Sequence, residues 1–302
     1  MLDRYHPSGK CPASFVGVTA GSAVLAGVVG IVYQLALRYI PYIYLDFLAT
    51  FGAVAALSFT GSYLVRAFKC RNPHIAFMAG AGLGLAAWVT SFLFAWWWTM
   101  REMHQYINFL GYLEWRADNG FSIGKGKGVP ITGFAVYALW MVEGLIFLLG
   151  VSLPMRKAAR KPYCEGCQAW ADNHKLAFEV AAPGKATVKT IEKAKELSDL
   201  VPDPSKEETD KQYDTRLVYS VLGCASCAAV DHLNVDYYFT VMENKAPKEK
   251  SKRLQASILV GADELEAIRL YAGPQVGAAP AEGASAETGD QVAADDAKPD
   301  QA

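Results

Sequence analysis

Four long stretches of the chain contain almost no charged side chains, and they limit what it can fold into more than any other feature. The stretches are residues 11–37, 47–65, 72–100 and 128–155, with His74 and Glu143 as the only titratable interruptions in the last two. A helix that crosses a bilayer needs about 20 mostly apolar residues. The pattern therefore predicts four transmembrane helices, near residues 15–37, 43–65, 75–99 and 131–153.

Charge divides the chain into two halves. The first 155 residues carry 16 charged side chains and the remaining 147 carry 43. This predicts an α-helical membrane bundle over 1–155, followed by a small soluble α+β domain over 156–272. The Ala/Gly/Pro-rich, acidic residues 273–302 predict a disordered tail. The second half has 19 basic and 24 acidic residues, a net charge of −5, which excludes nucleic-acid binding through bulk positive charge.

Lysine and arginine placement predicts the orientation of the helices. Nine of these residues flank the spans on the side of the N-terminus and five lie on the other side, so the positive-inside rule puts both termini in the cytoplasm of a cell (inner) membrane. The nine are Arg4, Lys10, Arg66, Lys69, Arg71, Arg156, Lys157, Arg160 and Lys161. Cys11 and Cys70 lie on the same side and are expected to be separate, unreactive thiols, which suits a reducing cytosol.

Small residues recur at helical spacing within the spans. They form the series Gly17/Gly21, Ser22/Ala26/Gly30 and Gly80/Gly84. Such residues let two helix backbones approach closely in lipid. The pattern favours a compact bundle or a homo-oligomer formed through the first span.

Glu143 is the one ionisable group deep in a predicted span. A carboxylate at that depth costs several kcal/mol unless it is neutral, paired or in a wet cavity. Two interpretations follow: a proton carrier or ligand site, or a protonated carboxyl group bonded to a Tyr or Trp of a neighbouring helix.

The outer segment 101–130 joins the third and fourth spans. Its first part, 102–117, predicts a surface helix that ends at Asn119-Gly120, and the following Gly-Lys-Gly-Lys-Gly places Lys125 and Lys127 in a glycine-rich loop. These lysines are candidates for contact with an anionic headgroup or phosphate, and a plain flexible basic loop is the alternative. The strings Asn119-Gly-Phe-Ser-Ile-Gly and Pro130-Ile-Thr-Gly, with Trp140 and Glu143, resemble segments of bacterial multipass membrane proteins without an assigned activity.

Two Cys-x-x-Cys pairs organise the soluble half: Cys164 with Cys167, and Cys224 with Cys227. Four thiolates supplied in this way predict a tetrahedral structural zinc site. A redox dithiol relay and unpaired structural thiols are the alternatives. His174 and His232 lie near the pairs and are either substitute ligands or solvated surface residues.

The segments around these pairs predict strands near 175–180, 216–222, 233–241 and 254–260, and helices near 186–201 and 262–271. The basic run 245–253 predicts a solvated turn or a contact with anionic lipid. Over about 80 residues the arrangement resembles the zinc-ribbon family, with an insertion between the pairs. That resemblance implies that the four cysteines ligate zinc.

The sequence contains no nucleophile–base pair, no phosphate loop and no open metal site. We therefore expect a non-enzymatic membrane scaffold or adaptor whose zinc domain docks a cytosolic protein partner. One alternative is a membrane thiol-disulfide oxidoreductase that uses the Cys-x-x-Cys pairs, as in the quinone-linked disulfide-generating enzymes that it resembles in its four spans. The other is a small transporter that uses Glu143.

Overall fold

The computed structural model describes residues 2–39, 43–123, 129–171, 173–181, 185–200, 215–224, 227, 231–243, 246–260 and 265–266. The chain divides into two compact units. The helical unit comprises Asp3–Asn173 and Gly223–His232, and the sheet unit comprises Met1–Leu2, His174–Leu222 and Leu233–Ala302. The predicted domain limits stay a prediction, and the compact units assign both cysteine pairs to the helical unit.

Among its described residues, the helical unit contains four helices that are long and apolar enough to cross a membrane, and they coincide with the four predicted spans. They are α1 (Ala13–Tyr39), α2 (Ile43–Ala67), α3 (Pro73–Met103) and α5 (Phe134–Ala159). A shorter helix, α4 (Phe109–Asn119), precedes an antiparallel hairpin of β1 (Phe121–Ile123) and β2 (Val129–Ile131). Helix α3 packs against α1 and α5, and α2 packs against the same two helices.

The outer segment differs from its prediction at one point. Helix α3 continues to Met103 and ends where His104 adopts the left-handed conformation, with φ 52°. A new helix then begins at Phe109, where the Asn108 side chain accepts a hydrogen bond from the Gly111 N–H. The predicted single helix over 102–117 is therefore two helices, because a cap side chain restarts the hydrogen-bond pattern. The predicted stop is confirmed: Gly120 ends α4 with φ 58°.

Close backbone contacts between the helices occur at the small residues. A Cβ atom on Gly30 would lie 2.2 Å from the Ala87 carbonyl oxygen, and one on Gly84 would lie 2.4 Å from the Phe147 carbonyl oxygen. These contacts join α1 to α3 and α3 to α5 in the manner expected of small-residue packing in membranes. Gly17 and Gly21 have no such neighbour within 4 Å, so this part of the α1 stripe does not serve packing within the described chain.

Cys11 and Cys70 form a disulfide, with Cα atoms 4.3 Å apart. The expectation that they are separate thiols is therefore wrong. The bond joins the segment before α1 to the link between α2 and α3, two positions that are 59 residues apart in the chain. Because disulfides persist mainly in oxidising compartments, the cysteines no longer support cytoplasmic termini, and that prediction rests on the Lys/Arg distribution alone.

The sheet unit is a four-stranded sheet with strand order β5-β6-β7-β8. The strands are β5 (Asn173–Ala181), β6 (Thr215–Gly223), β7 (Asp231–Glu243) and β8 (Ala246–Val260), and helix α6 (Lys185–Glu192) packs against β8. Alternate residues of β6 (Leu217, Tyr219 and Val221) are buried, as expected for a strand with one covered face. All four predicted strands are present. Most of the basic run 245–253 belongs to β8, so the predicted turn is wrong there.

Candidate metal centre

The first cysteine pair lies on a tight hairpin. Strand β3 (Tyr163–Cys164) pairs antiparallel with β4 (Ala169–Trp170), so Tyr163 faces Trp170 across the ladder. Their rings meet edge to face, with centroids 5.1 Å apart. Gln168 takes up the left-handed conformation with φ 52° and closes the turn. The hairpin therefore holds Cys164 and Cys167 on one short loop.

The second pair follows strand β6, where Cys224 is buried and Cys227 is half-buried. The chain brings this pair to the first one: all four sulfur atoms lie within 4.8 Å of one another, and the Sγ atoms of Cys164 and Cys227 are 3.5 Å apart. The two Cys-x-x-Cys pairs predicted to share a site are thus brought together, although 56 residues lie between Cys167 and Cys224.

The cluster has the dimensions that a metal ion requires. Metal–sulfur bonds of about 2.3 Å in a tetrahedron place neighbouring sulfur atoms about 3.8 Å apart. This value lies between the 3.5 Å that separates the sulfur atoms of Cys164 and Cys227 and the 4.8 Å limit of the cluster. Four thiolates in this geometry suit zinc or iron. The four cysteines can bind a metal ion, and a four-sulfur shell leaves no position for a substrate.

The neighbouring cysteines favour the protonated form of the Cys167 thiol. Hydrogen bonds raise the pKa of the Cys167 thiol to about 12, and the bond with Cys227 contributes more than the bond with Cys224. Thiolates crowded together repel one another, and a metal cation removes that repulsion. Metal binding at this cluster therefore releases protons and weakens in acid.

The link between α2 and α3 supports the first hairpin. The Arg71 guanidinium lies 4.5 Å from the centroid of the Tyr163 ring and forms an ion pair with Glu165. The Trp170 indole N–H donates to the Arg66 carbonyl oxygen at 3.0 Å. Arg71 holds the pKa of the Glu165 carboxyl group below its usual range, mainly by hydrogen bonding. Sequence reasoning missed this role of Arg71, because only the adjacent Cys70 hinted that the link is structured.

The two histidines have different outcomes. His232 is 3% exposed and its ring meets that of Tyr5 edge to face at 5.2 Å. It is packed and not solvated, and the metal-ligand group found among the described residues contains cysteines alone. The side chain of His174 lies outside the described part of the structure.

Glu143 belongs to a hydrogen-bonded group that joins three helices. The Tyr33 hydroxyl of α1 donates to Glu143 Oε1 of α5 at 2.8 Å. The same hydroxyl lies 3.1 Å from Oγ1 of Thr50 on α2. Since the Tyr33 proton goes to Glu143, Thr50 serves as the donor of the second bond. The partner is a tyrosine of a neighbouring helix, as the structural interpretation of Glu143 expects.

Several predictions fall outside the described residues. They are the lysine pair Lys125 and Lys127, most of the predicted helix 262–271 and the tail 273–302. These remain predictions from the sequence.

No family model matches the chain, and comparisons with curated proteins and with solved structures give no match either.

Proposed function

We propose that the protein is an integral membrane scaffold or adaptor with a structural zinc site at Cys164, Cys167, Cys224 and Cys227. Its sheet unit would present a docking surface to a protein partner. The observation that supports this proposal is the closed cluster of four sulfur atoms within 4.8 Å. A metal with four protein ligands stabilises architecture and has no open coordination position for chemistry.

The position of the cluster in the chain indicates what the metal would stabilise. Beyond residue 172, the chain passes between the helical and the sheet units after residues 173, 222 and 232. Each of these passages is within seven residues of a cluster cysteine. Zinc would therefore hold together the two segments of the helical unit that carry the cysteine pairs, and this is the role expected of a structural site.

Metal analysis of the full-length protein in detergent tests the proposal. We expect one zinc ion per chain, lost when Cys164→Ser or Cys224→Ser removes a ligand. The double variant Cys11→Ser/Cys70→Ser is the matched control, because it removes two cysteines outside the cluster and should keep the zinc. Iron in place of zinc, or retention of metal in the Cys164→Ser variant, would contradict the assignment.

The proposed location is the cell membrane with both termini in the cytoplasm, and the Lys/Arg distribution supports it. The Cys11–Cys70 disulfide lies on the side of the termini and favours the opposite orientation. Reporter fusions at Ala302 and at Asn119 of the outer segment decide between the two. A cytoplasmic signal at Ala302 and an external signal at Asn119 are expected.

A second candidate, thiol-disulfide exchange, is favoured by the disulfide itself. The Cys11–Cys70 bond and the four free cysteines belong to the same compact unit. Exchange would form one new disulfide within a Cys-x-x-Cys pair and leave thiols at Cys11 and Cys70, with two electrons and two protons transferred. Metal-free protein that undergoes this exchange would support the second candidate and exclude the scaffold's zinc site.

A further inference from the structure

A cavity of about 450 Å³ opens in the helical unit, beside the cysteine cluster and distinct from it. Its walls come from the segment before α1, the end of α2 with the following link, and the first cysteine hairpin. The polar lining residues are Lys10, Ser14, Lys69, Arg71, Tyr163, Glu165 and Gln168, and the apolar ones are Pro12, Ala67 and Phe68. A cavity of this size can enclose a small ligand or a lipid headgroup.

The lining is rich in positive charge. Lys10, Lys69 and Arg71 face one carboxylate, that of Glu165. Arg71 pairs with Glu165, whereas no carboxylate among the described residues lies within ion-pair distance of Lys10 or Lys69. Lys10 interacts with the Glu165 carboxylate at longer range, so three cations share one carboxylate in a concave site, where an excess of one sign of charge attracts a counter-ion strongly.

Two further features supply donors for an anion. The Arg71 side chain is 12% exposed and its Nε is buried without an acceptor among the described residues, an arrangement that is costly unless a ligand completes it. Helix α1 begins at Ala13 with no acidic residue in its first turn. The positive dipole end of this helix, near Ser14, therefore has no acidic side chain in its own first turn to compensate it, which favours an anion there.

The site is held in place by bonds on both sides of Cys11 and Cys70. Their disulfide is flanked by a hydrogen bond from the Arg71 N–H to the Lys10 carbonyl oxygen at 2.8 Å. The Asn72 side chain donates to the Gly9 carbonyl oxygen at 3.0 Å. The basic residues therefore stand on a fixed backbone, which reduces the entropy lost when a ligand binds.

We propose that this cavity binds a phosphate-bearing anion through Lys10, Lys69, Arg71 and the start of α1. Because the cavity lies at the ends of two membrane-spanning helices, the headgroup of an anionic phospholipid is the ligand that its position favours. Pro12, Ala67 and Phe68 offer the apolar wall that the glycerol and upper acyl atoms of a lipid would contact. Free phosphate carries the same phosphate group, and separate titrations with lipid and with sodium phosphate distinguish the two ligands.

The test measures thermal unfolding of the full-length protein in maltoside detergent by tryptophan fluorescence. The ligands are dioctanoyl-phosphatidylglycerol, dioctanoyl-phosphatidylcholine and sodium phosphate, each titrated alone. We expect phosphatidylglycerol to stabilise the protein at a half-saturating concentration at least tenfold below that of phosphatidylcholine. Stabilisation by sodium phosphate and not by the lipid would identify free phosphate as the ligand of the same site. Equal effects of the two lipids and no effect of phosphate would overturn the proposal.

Charge variants separate this site from general surface attraction. Lys10→Glu/Lys69→Glu should raise the half-saturating phosphatidylglycerol concentration at least fivefold, and Lys10→Arg/Lys69→Arg should leave it within twofold. Glu165→Gln, which removes the competing carboxylate, should lower the half-saturating phosphatidylglycerol concentration.

Lys157 is exposed near the C-terminal end of α5 and lies outside the cavity. Lys157→Glu is therefore the matched control and should have no more than a twofold effect. If the double glutamate variant does not fold, Lys10→Gln/Lys69→Gln takes its place with the same expected direction. An equal loss in Lys157→Glu would contradict the proposal.

Discussion

The hydrogen bond from Tyr33 to Glu143 needs a donor at Tyr33 and only an acceptor at Glu143. Variants at the two positions therefore distinguish a structural role of Glu143 from a role in transport. Tyr33→Phe deletes the hydroxyl that bonds both Glu143 and Thr50. It should lower the free energy of unfolding by about 1–2 kcal/mol, because the buried Thr50 and the half-buried Glu143 each lose a partner. Unfolding by SDS in mixed micelles measures the change.

Glu143→Gln is the companion variant, since its amide oxygen can still accept the Tyr33 proton. We expect it to change the free energy of unfolding by less than about 0.6 kcal/mol. If the protein is a transporter that carries a proton on Glu143, the Glu143→Gln variant should fold normally but lose function in a complementation assay. Full function of this variant would leave Glu143 with the structural role alone.

Among the helices, the glycine contacts predict which positions tolerate a methyl group. Gly84→Ala places a Cβ atom 2.4 Å from the Phe147 carbonyl oxygen, so α3 and α5 must separate. We expect a loss of about 1–3 kcal/mol in the free energy of unfolding, the range typical of overpacking. SDS unfolding checks it.

Gly21→Ala is the matched control, because nothing lies within 4 Å of the added atom. Alanine also has the better helix propensity, so stability should be unchanged or slightly higher. A homo-oligomer formed through the first span would behave differently: Gly21→Ala would then lower the oligomer fraction in cross-linking while leaving the monomer stable.

In the sheet unit, one ion pair predicts a pH-dependent stabilisation. The Lys252 ammonium donates to Glu192 at 2.7 Å, and this hydrogen bond holds the pKa of Glu192 below its usual range. A lowered carboxyl pKa contributes stability above the unfolded value of about 4.3, and this stability is lost as the pH falls through the folded value. Glu192→Gln should therefore speed amide exchange in α6 near neutral pH and have no effect once the pH is below the folded pKa.

Glu196→Gln is the control for that comparison. Its carboxylate forms no ion pair with another described residue, so exchange in α6 should match the unmodified chain at both pH values. Equal acceleration by the two variants would show that general surface charge, and not the Lys252 contact, stabilises α6.

The sequence predicts the elements whose length is set by the surrounding lipid. It does not predict the elements whose length depends on contacts with other parts of the chain. Span lengths are dictated by bilayer thickness, so the charge-free runs identified all four long helices. The basic run 245–253 depends on neighbours: Arg216 pairs with Glu249, and Arg253 pairs with Asp236, across the sheet. These cross-strand partners allow most of a highly charged segment to be a strand, and a one-dimensional charge count does not contain them.

The candidate metal centre likewise combines features that the sequence predicts with features that depend on neighbouring segments. The Cys-x-x-Cys spacing identified the four sulfur ligands, because each pair must lie on one turn. The Arg71 contact with Tyr163 and the Cys11–Cys70 bond depend on which ends of the helices are neighbours, and the sequence does not state this order. The cavity between these residues was unpredictable for the same reason.

For the whole molecule, the six cysteines should divide into two classes with different chemistry. Four belong to the metal cluster and two to the disulfide. Alkylation of the native, metal-loaded protein should modify few thiols, since zinc protects its ligands. Removing the metal with a chelator should expose four thiols, and a reductant should then expose six, counted by intact mass.

The same labelling reports the orientation of the molecule when it is performed on intact cells. A membrane-impermeant maleimide, added with a permeant chelator and reductant, should fail to modify the protein if both termini are cytoplasmic, and should modify it in inverted vesicles. Modification in intact cells would place the disulfide and the metal cluster on the outside, where an oxidising environment explains the Cys11–Cys70 bond. The outer segment would then face the cytoplasm, and the positive-inside prediction for this chain would be wrong.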